Sequence, residues 1–262
     1  MKKDLNLVRR GFLYIYNDCL KTIFRKKSVL KNVGVISFDD GNLYIFYLDN
    51  HEVKVDVVPH TEKILEDSKK GLRAYLVQKA DLYKYIKDRY SFSNIISGGL
   101  FSDYSAIQKQ KGSIYTSEES YIATIVHEFA HIYFNTLNPF YYADMEYNVN
   151  LLKTSQNLFT DGDCNVIDFQ LCVPSSKEFS EIFAFCTEYE FAKKIYPNYY
   201  NQMNNEFFNV IGKLIEEEKK KDLMKEDSVL FDVHVKSYML GKILMSKYPN
   251  DWADRFIDKR EL

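Results

Sequence analysis

Two of the chain's five histidines sit four residues apart inside an apolar run. The run reads Ile122-Ala123-Thr124-Ile125-Val126-His127-Glu128-Phe129-Ala130-His131-Ile132-Tyr133. Ile122, Ile125, Val126, Phe129 and Tyr133 recur at spacings of three and four, which predicts a helix. Thr116 followed by Glu119 reads as a capping box that starts this helix near Ser117. Glu128 is the only charged residue between Ala123 and Tyr133, so the helix is expected to be buried. A buried carboxylate flanked by two imidazoles needs compensation, and a metal ion supplies it. Residues four apart share a helix face, with Cβ atoms about 6 Å apart. His127 and His131 can therefore both reach one Zn²⁺ at about 2.0–2.1 Å. Glu128 is then expected beside the metal, where it can take a proton from an activated water. The competing reading is a core helix whose histidines only hydrogen-bond.

The segment from about Tyr115 to Asn138 resembles the zincin superfamily of metallopeptidases. That resemblance implies that His127 and His131 are zinc ligands, that Glu128 is the general base, and that the chain hydrolyses peptide bonds, as an endopeptidase. A catalytic zinc usually has three protein ligands, so a third is expected. Phe134 and Leu137 stand where the metzincin branch has a glycine and a histidine, which excludes that branch. Tyr147–Leu151 contains no acid, which excludes the thermolysin-like spacing, and the aminopeptidase G-x-M-E-N pattern is absent. Cys19, the only upstream cysteine, lies in the wrong context for a peptide deformylase.

A third ligand is expected from Ser175-Ser176-Lys177-Glu178-Phe179-Ser180-Glu181-Ile182-Phe183-Ala184-Phe185-Cys186. Ser175 and Glu178 form a second capping box, so a helix should begin near Ser176. Glu181, one turn in and set among apolar residues, resembles the glutamate of the E-x-F-A segment in gluzincins similar to anthrax lethal factor and the clostridial Pro-Pro endopeptidases. The resemblance makes Glu181 the third ligand. Glu178, Glu188, Asp144, Glu146, Asp161 and Asp163 remain alternatives. Phe185 takes the position four residues after Glu181 that is acidic in some gluzincins.

Acyl-transfer chemistry also needs a donor for the developing oxyanion. Leu171–Pro174 contains no tyrosine, unlike the lethal-factor-like pattern. The segment Val233–Lys242 reads as a helix with His234 and Tyr238 four apart and Gly241 permitting close approach; this pair is the candidate catalytic or substrate contact. The run Gly98–Ala106 reads as an edge strand along which a peptide could be added, with Gly112–Tyr115 as the next strand.

The remaining pattern predicts an α+β, zincin-like, two-lobed metallopeptidase with a small, mostly antiparallel sheet, an active-site helix and a helical C-terminal lobe. Residues 1–262 form one catalytic unit: an α+β upper lobe over 1–138, a helical lower lobe over 139–262, and the zinc cleft between them. An amphipathic helix is expected over 5–26, with Leu5, Val8, Phe12, Ile15 and Cys19 on one stripe. Strands follow at Val33–Phe38, Leu43–Leu48, Glu52–Val58 and Arg73–Val77, then a helix at about Asp81–Arg89. The net charge of −2 gives no footprint for nucleic acid, so the expected partner is a peptide or protein substrate. No apolar run reaches the length of a membrane span. The N-terminal Met1-Lys2-Lys3 is followed by no signal-like core and cleavage site, so a cytoplasmic protein is expected, although a trimmed secreted one would read the same. Cys19, Cys164, Cys172 and Cys186 form no C-x-x-C pair and read as free thiols, with a Cys164–Cys172 disulfide as the alternative. The alternative function is a zincin-fold binding or regulatory protein whose proteolysis is lost or highly restricted; an intact Glu128 argues against it.

Overall fold

The structure, a computed structural model, describes residues 2–30, 32–39, 42–49, 52–59, 86–97, 101–138, 176–220 and 233–257. It is α+β. The elements are α1 (Lys2–Tyr16), β1 (Val33–Asp39), β2 (Asn42–Asp49), β3 (Glu52–Pro59), β4 (Asn94–Ser97), α2 (Phe101–Gln110), α3 (Glu118–Leu137), α4 (Ser176–Ile195), α5 (Pro197–Lys219), α6 (Val233–Lys247) and α7 (Trp252–Ile257). The chain divides into two compact units, Met1–Ile132 and Tyr133–Leu262. None of the described helices is long and apolar enough to cross a membrane.

In the first unit, four strands form an open mixed sheet in the order β3-β2-β1-β4. β1–β2 and β2–β3 are antiparallel, with registers closing at Asp39↔Asn42 and Asp49↔Glu52. Both junctions leave two residues between the strands, the shortest hairpin connection. β1–β4 is parallel, pairing Val33 with Asn94 and Ile36 with Ser97. Leu43, Tyr44, Ile45 and Phe46 are all buried, so β2 is covered on both faces.

α1 ends at Tyr16 and is followed by a 3-10 turn at Asp18–Leu20, so the expected helix over 5–26 stops early. Asn17 explains the stop: its side chain accepts a hydrogen bond from the Cys19 amide, offering the backbone a turn instead of another helical bond. The buried stripe runs through Leu7, Val8, Phe12 and Ile15. Phe12 meets the edge of Phe129 at 5.2 Å, and Gly11 lies so close to Ile125 that a Cβ there would stand 3.0 Å from it. α1 thus covers the Ile125–Phe129 face of α3, while Arg9 bonds the Val53 carbonyl on β3.

Two strand expectations fail. Phe101–Gln110 is helical, and 111–117 is a run of turns and bends. Phe101 and Tyr104, three apart, both place their rings against Tyr121, a helical spacing that excludes an alternating strand. α2 then ends because Gly112 takes φ 68, with Ser113 N–H bonding back to the Gln108 carbonyl. The strand in this region is β4 instead, which ends at Ser97; Gly98-Gly99 lies outside the described residues. The expected strand at Arg73–Val77 also lies outside them, as does Asp81–Tyr85; 86–90 is helical.

In the second unit, every residue from Phe179 to Tyr189 on α4 is buried, as expected of a central helix wrapped by others. Phe183 stacks on Tyr133 and Phe134, the last turns of α3, and tilts against Trp252 of α7. α6 crosses α4 closely at Gly241, where a Cβ would lie 2.7 Å from the Phe185 ring and 3.0 Å from Cys186 Sγ. The close approach read from Gly241 in the sequence is therefore present. Two of the buried polar groups of α4 have clear partners: Thr187 donates to the Phe183 carbonyl, and Glu188 accepts from the Tyr199 hydroxyl.

Candidate metal centre

α3 begins at Glu118, one residue later than the sequence suggests. The cap is Ser117, whose Oγ accepts the Ser120 amide at 3.1 Å, and Thr116 is not the cap. Glu118 and Glu119 sit in the first turn, favourable at the positive end of the helix, and Glu118 pairs with Lys3. Ile122, Ala123, Val126, Phe129 and Ala130 are fully buried, whereas His127, Glu128 and His131 are half-buried. The helix thus buries its apolar stripe and turns the two histidines and the glutamate toward its more open side.

His127 and His131 lie one turn apart with ring centroids 4.7 Å apart, and their Nε2 atoms are 3.0 Å apart. One nitrogen must carry the proton of this hydrogen bond. A metal bound by both Nε2 atoms takes their lone pairs, so it replaces this bond and leaves the ring protons on Nδ1. Glu181, from α4, is 9 % exposed. The ligating atoms of His127, His131 and Glu181 all lie within 4.8 Å of one another. A tetrahedral ion with ligands at about 2.0–2.1 Å separates them by roughly 3.3 Å. Two imidazoles with a carboxylate are a donor set suited to a divalent transition metal. The group can hold a metal ion.

The other sequence candidates fall elsewhere. His234 is exposed, near the start of α6. Tyr238 is 7 % exposed and packs edge-on against Phe185 at 4.2 Å and against Phe207. Burial pushes its phenol well above the usual tyrosine range, with the Phe207 backbone opposing; its oxygen finds no well-formed hydrogen bond among the described residues. Tyr238 therefore has the surroundings of a packing residue, and the two members of this pair lie in unlike environments. Glu188 is buried on the Tyr199 hydroxyl, and the side chain of Glu178 lies outside the described residues, as do Asp144, Glu146, Asp161 and Asp163. Cys164 and Cys172 also lie outside them; Cys19 and Cys186 are reduced thiols, in no disulfide.

Two polar arrangements escaped the sequence reading. On α2, the Tyr104 hydroxyl lies 3.0 Å from Thr124 Oγ1 of α3. In the second unit, Lys242 of α6 donates to Asn204 of α5 at 2.8 Å and to the Tyr189 hydroxyl of α4, and it stands over the Tyr189 ring. Desolvation lowers the Lys242 pKa, and the hydrogen bond from Tyr189 lowers that of Tyr200. Neither was visible locally, because the Tyr104–Thr124 contact spans 20 positions and the Lys242 bonds span 38 and 53. Comparison with known protein families, curated proteins and solved structures returned no match.

Proposed function

We propose that this chain is a zinc-dependent peptidase of the zincin type, a gluzincin in which His127, His131 and Glu181 hold the metal. The observation that carries the proposal is the convergence of these three ligating atoms within 4.8 Å. It adds a carboxylate from a separate helix to the histidine pair that the spacing alone suggested. A zinc ion held there would act as a Lewis acid, polarising the scissile carbonyl and making a water acidic enough to attack it near neutral pH.

The protein's own part is then proton management and orientation. Glu128 follows His127 directly on α3 and is not one of the three ligating residues; its carboxylate would serve as the general base. It accepts the proton that the attacking water loses, the C–N bond breaks, and Glu128 returns the proton to the departing amine. The carboxylate ends the cycle as it began. The buried Ile122–Phe129 face locks α3, so this geometry is set before substrate arrives. The substrate is a peptide or protein.

The test uses the full chain, wild type and Glu128→Gln, with bound metal measured by elemental analysis and cleavage measured on a pool of internally quenched peptides. Near-stoichiometric zinc is expected in both. Cleavage is expected to fall by about 10²–10⁴-fold in Glu128→Gln, the usual contribution of a general acid–base group. Equal cleavage by the two proteins would refute the mechanism, and no zinc in the wild type would refute the site.

A further inference from the structure

β3 stands at one end of the sheet order β3-β2-β1-β4, so β2 is its one neighbour among the described strands. Pro59 has no N–H and stands opposite Asn42, which makes that pair a non-hydrogen-bonded one. Pairs alternate along an antiparallel ladder, so Val53, Val55 and Val57 also turn their backbone N–H and C=O groups away from β2. The bond from Arg9 of α1 to the Val53 carbonyl, at 3.1 Å, fits this outward direction. Among the described residues, nothing bonds the outward groups of Val55 and Val57. Their side chains are open as well, 36 % and 51 % exposed on one face, while Lys54 and Asp56 lie on the other. An exposed edge rich in valine is a template for another strand.

The sequence Val53-Lys54-Val55-Asp56-Val57 is complementary to itself. An antiparallel copy centred on Val55 sets Val55 opposite Val55, Val53 opposite Val57 and Lys54 opposite Asp56, each relation repeated by the twofold axis. The outward-turned valines then form the hydrogen-bonded pairs, and the opposite charges fall at the closer, non-hydrogen-bonded ones. A register centred on Lys54 opposes two lysines, and one centred on Asp56 opposes two aspartates; like charges directly opposite are destabilising. The groups concerned have capacity for these bonds. The Val53 carbonyl keeps a second lone pair beside the Arg9 bond. The Asp56 carboxylate is held by the hydroxyls of Tyr90 at 2.9 Å and Tyr47 at 3.4 Å, and it can accept more. Lys54 pairs with exposed Glu52 on its own strand, a bond that costs little to exchange. From this self-complementarity we propose that two copies of the chain pair through β3, joining their sheets into one about a twofold axis at Val55. The metal group plays no part in it.

The test is sedimentation equilibrium of the full chain from micromolar to millimolar concentration, on wild type, Val55→Pro, Lys54→Asp, Asp56→Lys and an equimolar mixture of the last two. Val55→Pro removes an outward N–H at the axis and leaves the bonds to β2 in place. Wild type is expected to form a dimer at the upper end of the range. Val55→Pro and each charge variant alone should weaken it about tenfold or more, the charge variants because each sets like charges opposite. The mixture should dimerise within about threefold of wild type, because opposite charges face each other again in the mixed pair. Asp56→Lys also removes the acceptor of Tyr47 and Tyr90; if it does not fold, Val55→Pro and Lys54→Asp decide. A wild type that stays monomeric, its edge then left to some other strand, overturns the proposal. So does a dimer that Val55→Pro leaves unchanged, or a mixture of folded variants no tighter than its parts.

Discussion

Glu181→Gln removes a charge and almost no volume, so it separates the role of a ligand from the role of a packed side chain. Phe179, Ile182 and Phe183 around it are fully buried and hold α4 whichever residue stands at 181. Loss of partners that merely orient a metal ligand costs about 10–100-fold in metal affinity, so loss of a direct anionic ligand should cost at least about 100-fold. Ligand binding to the native state alone stabilises it by RT ln(1 + [L]/Kd). With free zinc buffered at 100 times the wild-type Kd, the gain is about 2.7 kcal/mol; for a variant bound 100-fold more weakly, the same zinc concentration equals its Kd and the gain is about 0.4 kcal/mol. At roughly 2–4 °C per kcal/mol for a chain near this size, zinc should raise the melting temperature by about 5–11 °C in wild type and about 1 °C in the variant. Thermal melts followed by circular dichroism, with and without buffered zinc, measure both shifts. The metal-free melting temperatures should nearly coincide. An equal zinc-induced shift in both proteins would refute Glu181 as a ligand. A large drop in the metal-free variant would show that 181 matters to the fold instead.

Gly34→Ala should destabilise the first unit, because its Cβ would stand 2.2 Å from the Phe92 ring, which is itself stacked on Tyr90 at 5.2 Å. Overpacking costs about 1–3 kcal/mol, and replacing a strand glycine returns about 0.5–1, so a net loss of about 1–2 kcal/mol is expected in a urea melt; a gain would refute the packing of Phe92 over β1. Cys186 is fully buried, and burial, with Glu190 nearby, pushes its thiol well above the ordinary value against the opposing pull of Lys242. It should resist a thiol reagent in native buffer and react completely in denaturant, read by peptide mapping; rapid native labelling at Cys186 would refute its burial.

The sheet shows which parts of a fold can be read locally. β1, β2 and β3 occur within a residue or two of their expected limits, because short β-rich runs are punctuated by the turn-forming sequences Asp-Asp-Gly-Asn and Asp-Asn. β4 was not readable. Its partner β1 lies about sixty positions away, joined where Ser93 bonds the Asn32 carbonyl, and four residues carry too little pattern to announce a parallel edge. The error at α2 had a different source. Gly98-Gly99 suggested a turn into a strand, but Phe101 and Tyr104 are spaced to reach Tyr121 together, and that tertiary demand overrides the local cue. The early stop of α1 and the shift of the α3 cap to Ser117 reflect competition by short polar side chains, which move helix ends by a residue or more.

The metal group divides in the same way. The placement of His127 and His131 follows from helix geometry alone, since a four-residue spacing fixes their common side whatever the rest of the chain does. Glu181 lies fifty residues from His131, and no spacing rule reaches that far. It was read from a resemblance, that of Glu181-Ile182-Phe183-Ala184 to the E-x-F-A segment of gluzincins, and the fold buries it among Phe179, Ile182, Phe183 and Phe185, where a carboxylate has to be compensated. His234 and Tyr238 had the right chemistry and helical spacing, but their neighbours signalled nothing, and the fold sets one in solvent and the other among rings. Burial of the flanking residues, which forces a polar group to find a partner, therefore supports the reading of a distant ligand in a way that the chemical aptitude of the residue alone does not.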